Sequence, residues 1–204
     1  MLKHLILFTL LSAALSARAE APAAYQTCVA CHGAAGEGNV ELESPALAGQ
    51  DAAYLERQLR NFRAGIRGAD PKDTLGAQMA AMAATLPETE IPAVVEYLAG
   101  LAPVPVEPEE SADLRNGNNL YGGNCGACHG AQAEGNAGLN SPALAWLDAD
   151  YLRRQIAAYQ EGLRGSDPED KYGRQMQLMS KTIAVGKDLD DVIAYMHAQG
   201  AAGQ

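Results

Sequence analysis

Displaced by 97 residues, this 204-residue chain matches itself, and that fact constrains the fold most: whatever one half becomes, the other becomes too. Cys28, Cys31, His32 and Gly33 fall on Cys125, Cys128, His129 and Gly130. Glu37-Gly38-Asn39 falls on Glu134-Gly135-Asn136, Ser44-Pro45-Ala46-Leu47 on Ser141-Pro142-Ala143-Leu144, and Tyr54-Leu55 on Tyr151-Leu152. The match runs on through Gly65, Arg67, Gly68, Asp70 and Pro71, then Gln78-Met79 and Met82 against Gln175-Met176 and Met179. Two homologous lobes follow, expected at residues 20–100 and 111–204 around a spacer at 101–110. Pro103, Pro105 and Pro108 forbid helix in that spacer and favour an extended, semi-rigid connection.

Within each lobe the hydrophobic period is helical. Ile91, Val94, Val95 and Leu98 repeat at i, i+3, i+4 and i+7, as do Leu189, Val192, Ile193 and Met196, which predicts a terminal amphipathic helix in each lobe. A middle helix is expected from an N-cap at Asp51 to a stop at Gly65, with Tyr54, Leu55, Leu59 and Phe62 inward. Its counterpart carries Tyr151, Leu152, Ile156 and Tyr159 and stops at Gly162. No sustained period of two argues for strands, so the fold class is all-α. Two Phe and one Trp are few for two cores, which points to something besides large side chains filling them.

Lys3, the apolar run Leu5 to Leu15 and Ala17-Arg18-Ala19 read as a cleaved export signal over residues 1–19. That run is too short for a membrane-spanning helix, and no later segment comes near the required length. The expected product is soluble and periplasmic, with no transmembrane segment. The chain carries 15 basic and 25 acidic residues, a net of -10, and loses Lys3 and Arg18 with the leader. This balance excludes nucleic acid, whose binders cluster Lys and Arg, and suggests partners with a basic docking surface.

Four cysteines in an exported chain ordinarily suggest disulfides, but here each pair is Cys-x-x-Cys followed at once by His. On a helical turn, i and i+3 share a face, so both thiols reach the two vinyl groups on one edge of a porphyrin, and the His at i+4 points at its iron. Zinc is the competing reading, yet each lobe offers only three adjacent donors where a closed zinc site needs four. Cys28, Cys31, Cys125 and Cys128 are therefore candidates for covalent attachment of two haem c groups, with His32 and His129 as axial iron ligands.

The sixth ligand decides function, since methionine closes the iron and an open position admits oxygen chemistry. Once the leader is gone, the only other histidine is His197, so two bis-histidine sites are impossible. Of the methionines, Met79 and Met82 repeat as Met176 and Met179. One of each pair suits a ligand and the other a core filler; the residues alone leave the choice open.

The ordered series of Cys-x-x-Cys-His, Pro-x-Leu, a Tyr-Leu helix, Met-x-x-Met and a terminal amphipathic helix, written twice from about Tyr25 to Gln199, resembles the two-lobed class I cytochromes c of bacterial periplasms, the cytochrome c4 type. The resemblance implies two tandem class I cytochrome c domains, each wrapped around one covalently attached haem. It implies Met79 and Met176 as axial ligands, each seven residues before Leu86 or Ile183, and Pro45 and Pro142 as the carbonyls that accept from the proximal imidazoles. It also implies an N-terminal helix with Gly117 and Tyr121 crossing the one that bears Tyr195. The first lobe lacks the equivalent glycine and has only a short segment before Cys28, so its haem is expected to be less covered. Where the first lobe has Ala48-Gly49-Gln50 the second has Ala145-Trp146-Leu147, and Trp146 is expected at the haem edge or the lobe interface. Arg67 and Arg164 suit either haem propionates or solvated loops.

A site with two protein ligands leaves outer-sphere electron transfer. The expected function is a soluble dihaem carrier between a quinol-oxidising complex or dehydrogenase and a terminal oxidase or reductase. A cytochrome subunit held by one dehydrogenase is the alternative, and a dihaem peroxidase or haem sensor a third.

Overall fold

The computed structural model describes residues 20–202, so the leader expected at 1–19 lies outside the described residues. Its helices are α1 (Val29–His32), α2 (Ala52–Arg63), α3 (Thr74–Thr85), α4 (Ile91–Ala99), α5 (Leu114–Asn124), α6 (Gly126–His129), α7 (Ala149–Gln160), α8 (Lys171–Ser180) and α9 (Lys187–Ala202). Short 3-10 turns cover Ala23–Thr27, Glu88–Glu90 and Ala137–Leu139. Among the described residues the only ladder pairs are two isolated bridges, Asn39 with Ser44 and Asn136 with Ser141, so the all-α expectation holds.

The first middle helix begins at the expected Asp51 cap, and Asp148 caps its counterpart. Asp51 accepts from the Tyr54 amide at 2.8 Å, and Asp148 accepts from Tyr151 at 3.0 Å, each filling an orphan donor of the first turn. Asp73 and Asp170 do the same for Gly76 and Gly173, which starts α3 and α8. These two helices carry the methionine pairs. α2 packs on α3 and α4, and α7 on α8 and α9, so each lobe clasps its middle helix between the methionine helix and the terminal helix.

The terminal helices bury the predicted stripes. Ile91, Val94, Val95 and Leu98 join Tyr25, Leu55 and Leu86 in one core; Leu189, Val192, Ile193 and Met196 join Tyr121, Leu147, Leu152 and Ile183 in the other. Trp146 packs into this second core against Gly200 of α9 and lines neither of the cavities described below, contrary to the expectation of a haem edge. In the second lobe α5 crosses α9 at Gly117, as anticipated, where a Cβ would lie 2.0 Å from the Asp191 carbonyl oxygen.

The first lobe reaches the same end differently. Its N-terminal segment is the 3-10 turn, and Tyr25 takes the place that Tyr121 holds on α5. Tyr25 Oη donates to the Gly33 carbonyl at 2.7 Å and Tyr121 Oη to Gly130 at 2.6 Å. Each ring also packs on a tyrosine of the terminal helix, Tyr97 at 5.3 Å and Tyr195 at 5.5 Å between centroids. The two anchors sit 96 positions apart rather than 97, because a 3-10 turn advances the chain further per residue than an α-helix.

Candidate functional site

Each Cys-x-x-Cys-His motif folds as a single helical turn. His32 N donates to the Cys28 carbonyl at 2.9 Å and His129 N to Cys125 at 3.0 Å, so thiols and imidazole share one face. The four cysteines are free, with Cys28 and Cys125 half-buried and Cys31 and Cys128 exposed. Burial pushes the Cys28 thiol up and the Cys125 thiol to about 11, so both are held protonated.

The turn ends on Gly33 and Gly130, at φ of 78° and 86°. A Cβ there would collide with the Glu37 or Glu134 carboxylate, which accepts from the Ala35 or Gln132 amide. Gly38 and Gly135, also at positive φ, let the next loop come so close that a Cβ would fall 2.6 Å from the Ala46 or Ala143 nitrogen. That approach delivers Pro45 and Pro142 to the histidines.

His32 Nδ1 lies 2.9 Å from the Pro45 carbonyl oxygen, and His129 Nδ1 lies 2.9 Å from that of Pro142. A carbonyl can only accept, so Nδ1 carries the proton and the Nε2 lone pair is free. Burial pulls both imidazoles below their ordinary pKa, although the proline hydrogen bond works the other way. Both rings are thus kept neutral, the form that binds a metal.

Each histidine opens on a cavity, of about 430 Å³ in the first lobe and about 170 Å³ in the second. The larger lies in the lobe without the long N-terminal helix. Cys28, Cys31, His32, Pro45, Met79 and Met82 line the first; Cys125, Cys128, His129, Pro142, Met176 and Met179 line the second. Every residue that the sequence offers for attachment or ligation is therefore brought to a cavity wall. Leu55, Phe62 and Val94 add apolar surface to the first, as Leu152, Tyr159 and Val192 do to the second. Among the described residues no three His, Cys, Asp or Glu side chains are arranged to hold a bare metal ion.

The cavities share a wall. Tyr54, Gln58, Leu147, Tyr151 and Gln155 line both. At its centre Arg67 donates to Gln58 Oε1 at 2.7 Å and Gln155 Oε1 at 3.0 Å, while Arg164 donates to Gln155 at 2.5 Å and Gln58 at 3.0 Å. Their guanidinium groups lie over the Phe62 and Tyr159 rings, at 4.4 Å and 4.6 Å. The arginines are 9 % and 6 % exposed, which corrects the solvated-loop alternative. Neither has a carboxylate partner among the described residues. Burial works to raise the nearby Tyr151 phenol, but the two guanidinium groups outweigh it and lower its pKa. Two buried positive charges without a counter-anion are costly.

A second pair of arginines straps the lobes together. Arg57 Nη1 and Nη2 donate to Asn140 Oδ1 at 3.0 Å and to its carbonyl at 2.8 Å. Arg154 does the same to Glu43, with 2.9 Å to the carbonyl and 3.1 Å to Oε1. Sequence reasoning missed both straps; the repeat itself was the available signal, since Asn140 and Glu43 correspond, as do Arg57 and Arg154.

The site fits an iron porphyrin on its donors alone. Two thiols stand on one edge, a neutral imidazole has a free Nε2, thioethers line the same cavity, and the buried guanidinium groups call for carboxylates of the kind a haem bears.

Known proteins agree with that chemistry. The Cytochrome c family model matches residues 19–102 and again 114–199. A thiosulfate dehydrogenase electron acceptor of Thiomonas intermedia (strain K12) is 36 % identical over 166 residues, 76 % of this chain and 73 % of that one. Cytochrome c4 of Azotobacter vinelandii is 28 % identical over 168 residues, 77 % of this chain and 80 % of its own. Among solved structures, reduced recombinant cytochrome c4 from Pseudomonas stutzeri superposes with a TM-score of 0.70 over 85 % of this chain and 93 % of that one, at 24 % identity. The as-isolated thiosulfate dehydrogenase from Marichromatium purpuratum gives 0.63 at 30 % identity, over 84 % of this chain but only 36 % of that larger one.

Proposed function

The chain belongs to the cytochrome c family, and from that premise we propose that it is a periplasmic dihaem electron carrier rather than an enzyme. In this reading residues 1–19 are a removed leader, and the lobes at 20–100 and 111–204 flank the 101–110 spacer. The carrying observation is the shared wall: two cavities with the same donor set stand back to back, separated by Tyr54, Gln58, Leu147, Tyr151 and Gln155. When bound, haem c supplies one reversible electron per site. Cys28 and Cys31, with Cys125 and Cys128, hold it by thioether links. His32 and His129 would offer Nε2, oriented by Pro45 and Pro142, and Met79 and Met176 would offer thioether sulfur within the same cavities. Two protein ligands leave no place for a substrate, while the apolar walls exclude water and favour the reduced state. With haem bound, the buried Arg67 and Arg164, one on each cavity wall, would neutralise its propionates.

The donor or acceptor is a redox protein with a basic docking face, drawn by the acidic excess of this chain. Its class follows from the Thiomonas relative: a dehydrogenase that oxidises thiosulfate is the first donor to test. In the holoprotein, a spectroscopically followed titration should show two one-electron steps, and reduction by the partner should slow as salt rises. A protein that matures without colour, or a reduced form that binds carbon monoxide rapidly, would overturn the reading.

One observation favours the alternative of a fixed subunit, the match of this chain to about a third of the Marichromatium thiosulfate dehydrogenase. A subunit would stay with its dehydrogenase through purification at moderate salt, whereas a carrier would leave it.

A further inference from the structure

Gln50 of the first lobe is 4 % exposed, and its side chain leaves its own lobe. Gln50 Nε2 donates to the Ala143 carbonyl at 2.7 Å, and the Ala143 N–H donates to Gln50 Oε1 at 3.2 Å. These two partners also fix which end of the amide is oxygen. The Ala143 N–H and the Pro142 carbonyl belong to one peptide group, and that carbonyl accepts the proton on His129 Nδ1 at 2.9 Å. A continuous line of hydrogen bonds therefore runs from the first lobe, through one resonant peptide unit, to the imidazole of the second.

We propose that Gln50 is a positioning residue for the second centre, polarising the Pro142 carbonyl and thereby His129. The inference rests on the axial role given to His129 above. An acceptor on a peptide N–H shifts electron density to the carbonyl oxygen and strengthens the bond that oxygen accepts. A stronger bond at Nδ1 makes Nε2 more basic, and a more basic imidazole favours the oxidised iron.

The first lobe lacks this arrangement. His32 meets Pro45 at the same 2.9 Å, but the residue corresponding to Gln50 is Leu147, which has no amide to offer Ala46. The two histidine sites are thus alike in their immediate contacts and differ one bond further out. The line crosses the lobe interface, so the second centre senses how the lobes are packed.

The test uses the loaded protein and two variants, Gln50→Leu, which copies the second lobe's own choice, and Gln50→Met, which keeps length without hydrogen bonding. In the reduced protein, the His129 Nδ1 proton should move upfield in both, while the His32 proton stays. With the cooperative share of one hydrogen bond at about 10–30 %, the reduced-to-oxidised ratio of the second centre at fixed potential should rise about 1.2- to 1.7-fold. Gln50 also lines the first cavity, so the first centre's potential is free to change and the ring protons decide. An unmoved His129 proton, or equal movement of both histidines, overturns the proposal. A parent protein whose spectrum shows no histidine ligation would instead sink the axial reading, and this one with it.

Discussion

Gly117→Ala should destabilise the second lobe through the α5–α9 crossing, although alanine is the better helix former. The new methyl would stand 2.0 Å from the Asp191 carbonyl oxygen and 2.9 Å from the Tyr195 Cβ. Ordinary contact needs more than 3 Å, so the helices must part by about an ångström. The neighbour is backbone and cannot rotate away, which puts the overpacking cost near the top of the usual 1–3 kcal/mol. Helix propensity returns about 1 kcal/mol, leaving a net loss of about 1–2 kcal/mol, several degrees of melting temperature for a lobe this size. Gly122 and Gly123, further along the same helix, have nothing within 4 Å of the place a methyl would take and should gain up to about 1 kcal/mol when changed to alanine. Thermal unfolding of the loaded protein, read separately for each haem, measures both. Gly117→Ala matching or exceeding the stability of Gly122→Ala would refute the steric argument.

Asp191 supplies a pH prediction. Lys187, then Asn116 and the Asp113 amide, hold its carboxyl down to about 2. A carboxyl whose folded pKa is depressed stabilises the fold above its unfolded value and loses that contribution as pH falls through the folded one. Asp191→Asn should therefore melt below the parent at neutral pH, and the gap should close between about pH 4 and pH 2. For the methionines, Met79→Ala should lower the first haem's potential and open its iron to carbon monoxide, while Met82→Ala should leave both unchanged; Met176→Ala and Met179→Ala should behave alike in the second lobe. Visible spectra of the four variants check this pairing.

What was legible in the sequence was local or repeated. The cysteines and histidine sit within one helical turn, the Asp51 cap lies three residues from its amide, and the terminal stripes follow a fixed period, so short-range geometry determines them. Pro45 came from the family pattern, and Gly38 shows why it arrives: only a residue without Cβ lets that loop approach. Contacts between lobes had no comparable signal. Gln50 meets Ala143 across 93 positions, and neither residue type announces the pairing. Tyr25 has no counterpart at the 97-residue spacing, because two kinds of helix put equivalent rings 96 positions apart. The departure of Ala145-Trp146-Leu147 from Ala48-Gly49-Gln50 marks Trp146 but not its neighbour, and the ring packs beside Gly200 instead of at a haem edge.

The paired straps have a consequence of their own. Arg57 reaches Asn140 as Arg154 reaches Glu43, and the buried arginines exchange glutamines in the same reciprocal way. This is the self-complementary contact of a twofold homodimer, carried inside one polypeptide. In a true homodimer every substitution would strike both halves at once. Fusion removes that constraint, and the exchange of Glu43 for Asn140 and of Gln50 for Leu147 shows the halves using the freedom to become unequal.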